Sequence, residues 1–426
     1  MLYIEKEDVR NLILKGNIGL EKENLRVDNE GYLSQTAHPF PDDENIVRDF
    51  CENQVEVNTR VFKTTEEAID DLKKYTIKIQ KSLSELEQPE YLWPFSNPPY
   101  IKNEDNIPIA IFNGIETGKT KYREYLASRY GRYKMTLSGI HFNYSFDEEL
   151  LKQNFKYSDE TDYQTYKDEI YLSLAENLVS YGWLITALTA ASPLMDGTYV
   201  EKKQYDSDIF HGMASVRCSE LGYWNYFPPI LDYTTVSKYA ESIEKYVSGG
   251  WIKYPSELYY PIRLKPKGEN NLDNLKKHGI NHIELRMIDL NPFEKCGLDL
   301  RDAGFIKLYL IWMASIKRKK IGEREQVQAV QNFKNAAHYD LKTVSIILDN
   351  GTSVPVADAG IFIIERMKKF YQDFDENVKS ILNYQEEKLA DPDKRYAWRV
   401  RKEFSGGFVK KGLVHAKNQQ KEILNN

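Results

Sequence analysis

The sequence predicts an α+β fold, and three observations carry that expectation. Long stretches repeat apolar residues every three or four positions, short segments between them alternate strictly between apolar and polar, and no internal repeat or Pro/Gly/Ser linker separates comparable halves. The first pattern marks amphipathic helices and the second marks strands with one buried face. Helices dominate by length, so a single domain is expected, with residues 1–300 as its α+β region and residues 301–426 as a helical C-terminal lobe.

The elements follow in chain order. Gly19–Val27 (GLEKENLRV) reads as a strand in which Glu21 and Glu23 point the same way, and Glu52–Asn58 (ENQVEVN) sets Val55 and Val57 against Glu52, Gln54, Glu56 and Asn58. Thr64–Glu87 opens with threonines followed by acids, a helix-capping pattern, and continues with helical periodicity. Lys121–Arg129 is a further helix. In Ile140–Phe146 (IHFNYSF), Ile140, Phe142, Tyr144 and Phe146 share one face while His141, Asn143 and Ser145 share the other. Asp162–Ser192 and Thr234–Val247 have the helical period. Tyr259–Lys265 (YYPIRLK) reads as a strand with Tyr259, Arg263 and Lys265 on one side, and Ile283–Leu290 (IELRMIDL) sets Ile283, Leu285 and Met287 opposite Glu284 and Arg286. Leu298–Ile316 and Gly360–Leu389 complete the helices, and Phe404–Lys411 (FSGGFVKK) reads as a Gly-hinged turn between helices.

Composition narrows the function. The chain carries 58 Lys plus Arg against 64 Asp plus Glu, a net charge of −6, with no long basic run. A nucleic-acid partner is therefore not expected, because phosphate-backbone binding needs clustered cations. The longest apolar stretches, Leu178–Ser192 and Phe305–Ala314, fall short of the ~20 residues that span a bilayer, so both read as buried helices. The N-terminus, MLYIEKEDVR, has no apolar core of a secretion signal. Three cysteines, Cys51, Cys218 and Cys296, make no disulfide framework or metal-ligand spacing, and a cytoplasmic setting is expected. Cys51 and Cys218 read as buried structural thiols.

The polar strand faces are unusual for solvated sheet, since they combine pairs of glutamates with arginines and one histidine. Were they to converge on one concave surface, like charges would raise each other's pKa unless divalent cations sat between them. Carboxylate clusters suit Mg²⁺ or Mn²⁺, and neighbouring arginines suit phosphates and carboxylates. The expected chemistry is metal-dependent phosphoryl transfer from a nucleotide. Asn113–Thr120 (NGIETGKT) mimics a phosphate-binding P-loop, but Gly114 and Gly118 enclose only Ile115, Glu116 and Thr117, one residue too few.

These segments resemble a known family. Gly19–Val27, Leu33–Pro39 (LSQTAHP), Asp49–Glu56 (DFCENQVE), Ser138–Ser145 (SGIHFNYS), Arg217–Tyr223 (RCSELGY) and His282–Phe293 (HIELRMIDLNPF) are similar, in order, to motifs of the bacterial glutamate–cysteine ligases. The resemblance implies a glutamine-synthetase-like fold: a curved, mostly antiparallel sheet forming an active-site funnel, backed by helices. It implies that ATP phosphorylates the side-chain carboxylate of glutamate and that the amine of cysteine attacks the acyl phosphate, giving γ-glutamylcysteine, ADP and phosphate. Carried over residue by residue, Glu21, Glu23, Asp49, Glu56, His141 and Glu284 match metal ligands, with Mg²⁺ or Mn²⁺ implied. Arg286 and Glu284 stand at the reacting phosphoryl group, and Arg263 matches a phosphate- or carboxylate-binding position. Arg217, Tyr223 and Tyr259 match substrate-holding positions, with Phe50, Tyr122 and Leu126 lining the pocket for the cysteine side chain. Bulky aromatics in Trp224–Phe227 leave the acceptor open, so a related ligase joining glutamate to another amine is a second reading. A third is a non-catalytic protein that keeps the fold and binds glutamate or a nucleotide.

Overall fold

The computed structural model describes residues 1–201, 207–222 and 224–425. Its strands are β1 (Gly16–Val27), β2 (Ile46–Arg48), β3 (Gln54–Asn58), β4 (Tyr91–Leu92), β5 (Ile140–Phe146), β6 (Met195–Asp196), β7 (Asp208–Ile209), β8 (Ile262–Lys265), β9 (His282–Ile288), β10 (Ser345–Ile347) and β11 (Ser353–Pro355). Seven join in one sheet of order β2-β3-β1-β5-β9-β8, with β4 pairing the end of β1, and every pairing is antiparallel. The strands β6–β7 and β10–β11 form two small ribbons. The long β1 is the pivot: Gly16–Lys22 pairs with β5, Glu21–Leu25 with β3, and Arg26–Val27 with β4.

Strand parity separates the two faces of the sheet. Leu20, Val57, Phe142 and Leu285, from four neighbouring strands, are buried in one core with Leu72 and Ile79 of helix Thr65–Ser84. Leu174 of helix Tyr163–Tyr181 and Phe305 and Tyr309 of helix Leu300–Ser315 complete that layer. The same core continues into Ile364 and Leu382 of helices Val356–Phe370 and Glu376–Ala390. Burial of this size is the main favourable term holding sheet to helices. The opposite face of the sheet carries the acids.

Helix boundaries follow local chemistry. Thr64 accepts a hydrogen bond from the Glu67 backbone N–H while the Glu67 side chain returns to Thr64, so the expected cap is a full capping box. Two expected helices are each divided. Asp162–Ser192 breaks at Gly182 into Tyr163–Tyr181 and Trp183–Thr189, and Gly360–Leu389 breaks into Val356–Phe370 and Glu376–Ala390. In the second case Asp375 caps the new helix by accepting from Val378 N–H.

A second apolar cluster lies beside the acidic face. Val400, Phe404, Phe408 and Leu413 of the last two helices, Tyr396–Phe404 and Phe408–Leu424, pack with Trp93, Phe95, Phe50, Leu126, Tyr130 and Tyr259. The turn between these helices is hinged at Gly406 and Gly407, with φ of 70° and 131°, values that glycine alone adopts freely. Both glycine N–H groups donate to Asp208. Among the described residues, no helix is long and apolar enough to cross a membrane.

Candidate active site

Pairing register brings the polar faces together. Glu21 lies opposite His141, Glu23 opposite Glu56, and Glu284 between Asn143 on β5 and Arg263 on β8. The β5–β9 register shifts between Ile140 and Phe142, so His141 sits at an irregularity of the kind that re-aims a side chain. The ligand atoms of Glu21, His141 and Glu284 all lie within 4.8 Å of one another. His141 Nδ1 stands 2.8 Å from Glu21 Oε2 and 3.9 Å from Glu284 Oε1, and Nε2 stands 3.8 Å from Glu23 Oε1. A carboxylate only accepts, so Nδ1 carries the proton and Nε2 presents a lone pair. Burial and the Arg286 charge lower the His141 pKa, against the pull of Glu21, which keeps the ring neutral as a metal ligand must be.

The electrostatics divide the site into two halves. Around Glu284 the cations prevail. Lys265 Nζ is 3.2 Å and Arg286 Nη1 3.3 Å from the same Glu284 oxygen. Burial would raise this carboxyl, but Arg286, Lys265, His141 and Arg263 hold it well below the usual range. Burial and the Glu284 charge would raise Glu21 too, but the His141 hydrogen bond together with the His141 and Lys265 charges leaves it net lowered. On the β1–β3 side the acids prevail. Burial, then Asp49, push Glu23 up to about 8 despite Arg217 and Arg286, and burial with Asp49, Glu21 and Glu23 raises Glu56 well above the ordinary carboxylate range. Asp49 occupies the bend between β2 and β3, where Arg123 of helix Thr117–Tyr130 donates to its backbone carbonyl.

This donor set fits a hard divalent cation. Glu284 Oε2 and His141 Nε2 are buried without a hydrogen-bond partner, and the carboxylates of Glu21, Glu23, Asp49 and Glu56 crowd beside them. Buried polar atoms normally find partners, so oriented oxygen and imidazole ligands facing a shared space are the mark of an ion site.

The substrate-side residues are held by their own scaffolds. Arg217 is buried, with its guanidinium lying over Gly139; a Cβ there would fall 2.3 Å from Arg217 Cζ. Gly139 N–H donates to Glu23 Oε2 at 3.1 Å, so one glycine serves both groups. The Arg217 loop is tied by buried Asp289, which accepts from Ser215 and Ser192 hydroxyls at 2.9 and 2.6 Å and from Ala191 N–H at 3.0 Å. Arg217, Tyr259, Pro261 and Arg286 line one recess. Arg263 spends its guanidinium on the backbone carbonyls of Ser256 and Leu258, anchoring the loop before β8. Phe50, Leu126 and Tyr259 share the second apolar cluster, with Tyr122 packed against it and edge-on to Tyr254 at 5.2 Å. Tyr223 lies outside the described residues.

Sequence reasoning missed Lys265 as a site group, although its parity with Arg263 was the available signal. It also missed Arg123 and Asp289, whose parts depend on a helix and a loop that return from elsewhere in the chain. The P-loop mimic is a short turn, Gly114–Glu116, running into the first turn of helix Thr117–Tyr130, where Lys119 pairs with Glu116 and the Thr120 hydroxyl accepts from Phe112 N–H. Cys51 and Cys218 are buried, and burial raises both thiols.

The chain is 34% identical over 436 residues to the glutathione biosynthesis bifunctional protein of Listeria welshimeri, covering 98% of this chain and 56% of that one. It is 30% identical over 424 residues to the glutamate–cysteine ligase of Clostridium acetobutylicum, covering 86% of each. The chain thus spans a little over half the length of the bifunctional relatives it matches. A bifunctional glutathione synthetase from Pasteurella multocida superposes with a TM-score of 0.86 at 26% identity over 99% of this chain and 54% of that one. Glutamate–cysteine ligase from Francisella tularensis in complex with AMP shares the fold, with a TM-score of 0.87 at 22% identity over 97% of this chain and 89% of that one. The glutamate–cysteine ligase family model matches residues 1–256 and 233–336, a stretch that includes every strand contributing an acid to the cluster, and the chain belongs to that family.

Proposed function

We propose that the chain is an ATP-dependent ligase joining the γ-carboxylate of L-glutamate to the amine of L-cysteine through a γ-glutamyl phosphate, with release of ADP and phosphate. The observation that carries this reading is the convergence of Glu21, His141 and Glu284, with His141 Nε2 and Glu284 Oε2 buried and lacking hydrogen-bond partners. Family membership supports the reaction, and AMP in the Francisella structure supports an adenine nucleotide.

Glu21, Glu23, Asp49, Glu56, His141 and Glu284 would hold Mg²⁺ or Mn²⁺. Bound there, the ions would screen the triphosphate and the glutamate carboxylate from each other. Arg286, fixed beside Glu284, is suited to stabilise charge on the transferring phosphoryl oxygens, and Arg263 next to it adds to the field. Arg217 is suited to a substrate carboxylate. Tyr223 and Tyr259 would join it in holding the amino-acid substrates, and Phe50, Tyr122 and Leu126 would line the pocket for the acceptor side chain. Once the glutamate carboxylate carries phosphate, the amine nitrogen attacks the acyl carbon. The C–N bond forms, the C–O bond to phosphate breaks, and the nitrogen loses a proton. Holding two anions and an amine in line contributes on the order of 7–11 kcal/mol by proximity.

Small-molecule substrates without a nucleic-acid partner, and a cytoplasmic setting, belong to the same proposal; the net charge of −6 without a basic run supports the first, and three cysteines that are all free support the second. The test is mass spectrometry of products formed from ATP, Mg²⁺, glutamate and a panel of amines. γ-Glutamylcysteine with stoichiometric ADP is expected. Preference for another amine would assign a related ligase, and nucleotide binding with no ADP release would overturn catalysis.

A further inference from the structure

One carboxylate beneath the aromatic wall is fully buried and is outside the metal cluster. Glu257, in the short turn Pro255–Glu257, accepts from Tyr130 OH at 2.7 Å, from Tyr125 OH at 3.2 and 3.1 Å to its two oxygens, and from Lys253 N–H at 2.7 Å. Arg129 Nε lies 2.9 Å from the same carboxylate. Its own backbone carbonyl accepts from Asn225 Nδ2 at 2.8 Å, and Asn225 Oδ1 in turn accepts from Tyr259 N–H at 2.8 Å. Tyr125, Arg129 and Tyr130 belong to helix Thr117–Tyr130, which also bears Tyr122 and Leu126. Glu257 therefore latches two pieces of chain far apart in sequence: the helix that supplies one side of the apolar pocket, and the loop that supplies Tyr259. Tyr130 packs edge-on against Tyr259 at 5.3 Å and stacks on Tyr226 at 5.5 Å, so the latch reaches both the floor and the exposed rim.

We propose that Glu257 is a positioning residue that sets the acceptor-amine pocket, fixing the distance between the Tyr122–Leu126 helix face and Tyr259, and with it which amine is accepted. This inference rests on the ligase reading above. The carboxylate suits the task because every group aimed at it is a donor. A glutamine here would turn one acceptor oxygen into an NH₂ that meets the Arg129 guanidinium or the Lys253 N–H, neither of which can accept, so the latch opens without a change of side-chain size.

The test separates acceptor binding from the first chemical step. In Glu257→Gln, the KM for cysteine should rise at least ~10-fold and the preference among amines should broaden. The KM values for glutamate and ATP, and the glutamate-dependent ADP release measured without any amine, should stay within about 2-fold of the parent, because Glu21, His141, Glu284 and Arg286 sit on β1, β5 and β9 and take no part in the latch. Tyr130→Phe, which removes one latch hydrogen bond and keeps the ring packing, should show a smaller rise in the same KM. A Glu257→Gln enzyme with an unchanged cysteine KM and amine preference overturns the inference. So does a uniform loss across all three substrates, which marks a general structural role; if Glu257→Gln fails to fold, Tyr130→Phe decides alone by the same criteria. A parent enzyme that forms no γ-glutamyl product would instead overturn the ligase reading.

Discussion

At the scale of single residues, Gly139 and Lys22 make opposite demands. Gly139 leaves room for the Arg217 guanidinium, and the atoms a Cβ would meet belong to the end of a flexible side chain. Gly139→Ala should therefore shift the melting temperature little yet lower kcat/KM for the amino-acid substrate about 10²-fold, because the guanidinium is moved off its site; steady-state kinetics beside a thermal melt checks both. Lys22 lies between Glu21 and Glu23 but points to the other face, where it is buried and donates to the Thr76 hydroxyl at 3.3 Å. Burial pushes its pKa down from 10.5 to about 8. Below pH 8 the ammonium is charged in both folded and unfolded chains and the burial cost is fully present; between pH 8 and 10.5 the folded form sheds its proton first and the cost fades. Lys22→Met should stabilise the protein by up to about 3 kcal/mol at pH 7, with the gain shrinking towards pH 10. Urea titrations at the two pH values give the comparison.

At the scale of elements, Glu23 of β1 and Glu56 of β3 work against the fold when no cation is near. Glu23 is raised to about 8 and Glu56 well above its ordinary value of 4.5, chiefly by burial. Below pH 4.5 both carboxyls are protonated folded or unfolded, and nothing is lost. As pH rises through the folded pKa values, the unfolded chain ionises first, and stability falls. Mg²⁺ should therefore raise the melting temperature of cation-free protein more at pH 8.5 than at pH 5, and an equal shift at both would contradict the electrostatic picture. Much of this site was legible from strand period alone: Glu21 and Glu23, His141 with Asn143, and Glu284 with Arg286 follow from alternation. Period could not reach Asp49 and Phe50 on a bend, or Tyr122 and Leu126 on a helix whose docking depends on Arg123 and Glu257; for those the motif resemblance was the only signal. The breaks at Gly182 and before Asp375 were hidden because helical periodicity runs on across them.

At the scale of the whole molecule, the sheet and the C-terminal helices share their interior. One core runs from Leu2 through the strands to Leu389, and the last two helices seal the second cluster that walls the site. Trp183 is buried in the first and Trp93 in the second. Loss of tryptophan fluorescence and loss of helical circular dichroism on heating should coincide in one transition, since neither cluster is closed by one half of the chain alone. The α+β class was legible because helix and strand periods differ so plainly, whereas the order β2-β3-β1-β5-β9-β8 depends on long-range pairing that a linear pattern does not encode.

The most direct test of the whole account is glutamate-dependent ADP release by Glu284→Ala across a Mg²⁺ titration, with circular dichroism to verify folding. Removing a carboxylate that Arg286, Lys265 and His141 all surround should cut turnover by at least ~10²-fold in a protein that stays folded. Full turnover with an unaltered Mg²⁺ dependence would contradict it.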